Sequence, residues 1–142
     1  MRRDATLWAY VLLTLLGLWA VADLWAPYYG RPEACRVGYV YDGDTVEMIC
    51  GAEKLTARLQ GFDTPETKDP RCPEELAWGN RATERLRILV KSGPVVIYRQ
   101  GFDKYGRALV TLTIGGRDVG DVLIAEGLAQ DYHGGTRGGW CG

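Results

Sequence analysis

Three short segments carry side chains that could do chemistry together. "DGDT", residues 42–45, supplies Asp44; "RLQGFDTPE", residues 58–66, supplies Arg58, Asp63 and Glu66; "DKYGR", residues 103–107, supplies Arg107. Aspartates beside glycine and proline often do no more than serve their own turns, so an isolated Asp-Gly-Asp needs no further account. The combination does. Hard cations such as Ca²⁺ take oxygen ligands, which aspartates, carbonyls and water provide. Arginines grip phosphate oxygens in bidentate fashion and stabilise the charge that develops on them. A carboxylate outside the metal shell can position or deprotonate a water. Two aspartates, two arginines and a glutamate are therefore the parts required to hydrolyse a phosphodiester, provided the fold brings them to one place.

The intervening segments predict how it would do so. In "CRVGYVYDGDTVEMIC", residues 35–50, Val37, Tyr39 and Tyr41 alternate on one arm and Val46 and Met48 on the other, with Asp42-Gly43 as a hairpin turn. Residues 54–62 alternate again, Leu55, Ala57 and Leu59 on one face. Residues 63–73 hold three prolines and read as loop. Trp78, Ala82, Leu86 and Leu89 have helical spacing, followed by two strands at 94–100 and 106–116 and a second helix over 117–129. The glycine-rich tail, 130–142, reads as loop. Three strands, a helix, two strands and a helix fit a β-rich α+β fold, a five-stranded OB-fold barrel with two to three helices.

In order and spacing these segments resemble the staphylococcal nuclease (thermonuclease) family over roughly residues 35–132. The resemblance implies an OB-type barrel that cuts DNA and RNA without sequence specificity, uses Ca²⁺ and leaves a 3′-phosphate. It implies Asp44, Asp63 and the backbone carbonyl of Thr64 as metal ligands, Arg58 and Arg107 on the scissile phosphate, and Glu66 as base or water-positioning group. Lys104 and Tyr105 match residues that hold a neighbouring phosphate, and Tyr132 takes the place of an aromatic that stacks on a base. Asp42 matches too, and reads best as a turn residue. The tail departs from the family's type member, which continues as a longer helix. The competing reading is a non-catalytic nucleic-acid-binding module of the same fold; such a module would lack part of the charged set, all of which is here.

The chain has 142 residues, 17 basic and 18 acidic, for a net charge of −1. A global basic surface for nucleic acid is excluded, and only a local basic patch could bind a polyanion. Arg2 and Arg3 precede an apolar run from Ala5 to Ala22, at the boundary between a signal peptide and a membrane-spanning helix. We therefore expect residues 1–26 to be an N-terminal hydrophobic helix serving as signal peptide or membrane anchor. Residues 27–34 are expected to be a linker and 35–142 a monomeric domain. Either form of residues 1–26 would export it: to the periplasm, to the periplasmic face of the inner membrane, or into the medium. Four cysteines in an exported chain suggest two disulfides. Cys35 lies seven residues before Asp42 and Cys50 seven after Gly43, so a two-residue turn would place them face to face. That leaves Cys72 for Cys141.

Overall fold

The computed structural model describes residues 2–25 and 32–142. The chain divides into two units, 1–30 and 31–142. The described part of the first is one helix, α1 (Arg2–Trp25). Its apolar side chains from Leu7 to Val21 are exposed. Among the described residues no helix is long and apolar enough to cross a membrane. Of the expected linker, residues 27–31 lie outside the described residues.

The second unit is a mixed sheet curled into a half-barrel. Its elements are β1 (Pro32–Glu33), β2 (Arg36–Val40), β3 (Thr45–Cys50), β4 (Glu53–Leu59), β5 (Gly61–Asp63), α2 (Pro73–Leu89), β6 (Val95–Phe102), β7 (Ala108–Ile114), β8 (Arg117–Asp118), α3 (Val119–Ala125) and β9 (Gln130–Tyr132). The main sheet runs β1-β6-β7-β4-β3-β2, with β8 on β7, while β5 and β9 pair separately. The five expected strands are all present, but four more of two or three residues join them. Segments that short carry no alternation, so pattern does not reveal them. One of them, β1, replaces part of the expected linker: Pro32 and Glu33 pair with Tyr98 and Ile97 of β6, and Arg99 holds Glu33 at 3.0 Å.

The pairing of β4 with β7 is parallel, Ala57 opposite Ala108 and Arg58 opposite Leu109. It brings two segments far apart in sequence side by side. Val46, Met48, Leu59, Ile97 and Leu112 from the sheet meet Leu86 of α2 and Leu123 of α3 in the core. Burying a side chain of this size contributes about 1.5–3 kcal/mol.

Two expectations change on the way. The β2–β3 turn is longer than two residues: Tyr41 N–H and Asp42 N–H both donate to the Thr45 carbonyl, at 3.0 and 3.3 Å. A bulge compensates, since Val37 faces Met48 but Val40 faces Val46. The extra residue flips the outer half of β2, so Val40 is buried while Tyr39 and Tyr41, expected on the Val37 face, are exposed. Beyond the bulge the register is the one a two-residue turn would set, and Cys35 and Cys50 do meet, Cα to Cα 4.3 Å. In α2, Gly79 rather than Trp78 faces inward; Trp78 is 39% exposed and lies under Arg81. A Cβ on Gly79 would stand 2.7 Å from the Pro65 carbonyl oxygen, so the bare glycine lets the helix lie against the loop that carries Glu66.

Cys72 is bonded to Cys141, 69 residues away, and its Sγ also caps α2 by accepting from Glu75 N–H. Replacing both cysteines by serine keeps a good cap and opens the loop. A stability loss of about 4 kcal/mol is expected in the chain-entropy description, read by urea denaturation. A loss below about 1 kcal/mol would contradict it.

Candidate active site

Arg58 is the centre of the charged cluster. Its place in β4, opposite Thr45 of β3, puts it beside the 41–44 loop, and the Leu59 N–H bond to the Asp44 carbonyl extends that contact. One residue, Gln60, separates β4 from β5, so Asp63 returns to the same spot. The guanidinium is paired with the Asp44 carboxylate; it also donates to Asp63 at 3.1 Å and to the Phe62 carbonyl at 3.3 Å. Arg58, Asp44 and Asp63 are all buried. Burial lowers the Arg58 pKa, against the pull of Asp63 and Asp42. Burial likewise raises Asp63, against Arg137 and Arg58.

Asp44 is further held by Thr45 Oγ1 at 3.0 Å, Thr64 N–H at 3.2 Å and Thr64 Oγ1 at 3.0 Å. Thr64, expected through its carbonyl, thus faces Asp44 with its donors. Asp42 accepts from Asp44 N–H, the local turn role expected of it. Space around these groups is tight: a Cβ on Gly43 would lie 2.8 Å from Ala82 Cβ and from Thr64 Cγ2. Gly43→Ala is expected to cost about 1–3 kcal/mol by overpacking and to displace the Asp44 loop. Urea denaturation checks the first effect.

The β6–β7 turn presents Arg107. Asp103 organises it, accepting from the Arg107 and Tyr105 N–H groups at 2.9 Å and from Arg107 Nε at 2.7 Å. Desolvation raises the Asp103 pKa, but these bonds and the Arg107 charge together outweigh it and hold the carboxyl below its ordinary range. Tyr105 is 72% exposed, with Lys104 over its ring. Lys104, Tyr105 and Tyr132 line one cavity of about 460 Å³ together with Arg58. Asp44, Thr64 and Glu66 line an adjoining one of about 420 Å³. All the expected site residues except Asp63 line these two neighbouring hollows; Asp63 lines a third with Glu66 and Arg137 and joins the cluster through Arg58.

One participant was not expected. Arg137, in the tail, ion-pairs with Glu66 and reaches Asp63 at 3.3 Å. Burial lowers its pKa, but the charges of Asp63 and Glu66 outweigh that and raise it. The tail, expected to be loop, is partly strand: Gln130–Tyr132 pairs with Gly61–Asp63, and the chain then turns through Gly134 and Gly135, both at positive φ, toward Cys141. The available signal was Cys141, four residues past Arg137 and predicted to bond beside the Glu66 loop.

Among the described residues no group of three or more His, Cys, Asp or Glu side chains gathers as a metal cluster. Two carboxylates do converge, and one cation, the Arg58 guanidinium, already bridges them. Two carboxylate groups with water and a carbonyl to complete the shell suit a hard, partly hydrated ion.

A half-barrel with arginines and carboxylates converging between its loops defines a small OB-type α+β domain whose site suits a phosphodiester. The chain belongs to the family described as staphylococcal nuclease homologue, which matches residues 56–137. It is 40% identical over 93 residues to endonuclease YncB of Bacillus subtilis (strain 168), covering 63% of this chain and 43% of that protein. It is 33% identical over 102 residues to the thermonuclease of Staphylococcus intermedius, covering 70% of this chain and 60% of that one. The SPbeta prophage-derived endonuclease YokF of the same Bacillus strain is 38% identical over 93 residues, with 31% of its length covered. The chain thus spans less than two thirds of each of these relatives.

Proposed function

We propose that this protein is a Ca²⁺-dependent nuclease that hydrolyses phosphodiester bonds of DNA and RNA. The observation that carries the reading is the gathering of Asp44, Arg58, Glu66 and Arg107 around two adjoining cavities, with Asp63 held against Arg58 at 3.1 Å. Asp44, Asp63 and the Thr64 carbonyl would hold the ion, which when bound neutralises phosphate charge and orients it. Arg58 and Arg107 bind the phosphate oxygens and stabilise the added charge at phosphorus. Glu66 holds the attacking water and accepts its proton as the oxygen–phosphorus bond forms. The bond from phosphorus to the 5′ oxygen breaks, that oxygen takes up a proton, and a 3′-phosphate remains. Lys104 and Tyr105 hold an adjacent phosphate, and Tyr132 offers a ring to a base.

The site is proposed to work outside the cytoplasm. The apolar α1 with its leading arginines suits an export segment, and both disulfides suit an oxidising compartment. Plasmid DNA and an RNA transcript incubated with the 23–142 fragment test the activity. Calcium-dependent cleavage that stops with a chelator is expected. Binding without cleavage would return the non-catalytic module.

A further inference from the structure

We propose that Arg137 is a third phosphate-binding arginine of this site, delivered by the tail that the Cys72–Cys141 bond closes. The inference rests on the nuclease reading above and extends it to a residue outside the three sequence segments from which that reading began.

The cavity containing Asp44 and Glu66 and the cavity containing Arg58 and Lys104 must both be touched by a nucleic-acid strand. Its scissile phosphate then sits where they adjoin. Among the described residues just two side chains line both hollows, Arg107 and Arg137. They face the same space from opposite sources: Arg107 from the β6–β7 turn, Arg137 from the tail. Arg137 is aimed there by two constraints. Strand β9 is hydrogen-bonded to β5, the strand that ends in Asp63. Four residues beyond Arg137, Cys141 is bonded to Cys72, at the N-terminus of α2. Ten residues of tail are thereby fastened at both ends, and the arginine lies between the fastenings.

The partners of Arg137 describe its resting state. Its Nε and Nη1 are committed to Asp63 and Glu66, and the side chain is 38% exposed. A guanidinium has five N–H donors in a planar fork, so the Nη2 edge remains for a ligand in the cavity. A phosphodiester that arrives competes with Glu66 for this cation. Arg137 turns from carboxylate to phosphate, and Glu66 is released to hold water when substrate is present. A guanidinium matches either partner in bidentate fashion, which a lysine would not.

The test uses the full-length protein with calcium. A nucleoside 3′,5′-bisphosphate, which has no diester to cut, reports binding by calorimetry, and cleavage kinetics on a short oligonucleotide are measured in parallel. Arg137→Ala is expected to bind the bisphosphate about ten- to a hundredfold more weakly, the effect of losing a charged hydrogen bond. Its melting temperature should stay near that of the native protein. Added guanidinium should restore part of the loss, and Arg137→Lys should bind between the two. Should Arg137→Ala fail to fold, Arg137→Gln is measured in its place. Arg107→Ala is the control and is expected to be weakened as well. If Arg107→Ala is weakened while Arg137→Ala binds as the native protein does, the Arg137 proposal is overturned and the nuclease site stands. If both bind normally, the phosphate site itself is misplaced.

Discussion

Asp63→Asn is expected to reduce calcium-supported DNA cleavage by about 10³-fold while the domain stays folded, on the scale set by losing a preorganised electrostatic contact in a transition state. The side chain keeps its volume and its Oδ1, so Arg58 at 3.1 Å and Arg137 at 3.3 Å retain an acceptor. What disappears is one of the two buried negative charges facing the proposed ion. Asp44→Asn should be equally inactive but less stable. Asp44 accepts from three groups of Thr45 and Thr64 and pairs with Arg58, using both oxygens. An amide would turn one of those acceptors into a donor and leave Arg58 short of a partner; breaking a buried pair costs about 3–5 kcal/mol. Circular dichroism and thermal melting separate the two effects from activity. Undiminished cleavage by Asp63→Asn at limiting calcium would remove Asp63 from the site.

Arg107→Lys is expected to lose on the order of 10²-fold in kcat/KM although the charge is retained. Arg107 is one-third exposed and anchored through Nε to Asp103, so its Nη edge remains for a phosphate. Lysine offers a point charge on a flexible stem and cannot make two parallel hydrogen bonds. Asp103→Ala should produce a smaller loss in the same direction, because it frees the arginine from its fixed orientation without removing it. A drop of less than about threefold in Arg107→Lys would show that the side chain does not meet the reacting phosphate.

The sequence by itself determined the parts and much of the frame. Residue chemistry alone named Asp44, Arg58, Asp63, Glu66 and Arg107. Alternation found β3, β4 and β7, because each buries one face, with Val46, Met48, Ala57 and Val110 turned inward. Symmetry about Asp42 and Gly43 paired Cys35 with Cys50, even though the turn itself is longer, because a bulge restores the register. The tertiary structure decided the rest. Whether Trp78 or Gly79 faces inward depends on how near α2 comes to the Pro65 carbonyl, a distance no periodicity encodes. Strand β9 exists because β5 offers it an edge to pair with; Gln130, Asp131 and Tyr132 have no pattern of their own. Arg58 and Arg107 converge through a parallel pairing between distant strands. Arg137 enters the site because the chain is fastened on both sides of it. Local sequence carries local preference, whereas a residue's neighbours across space are set by where the whole chain can close.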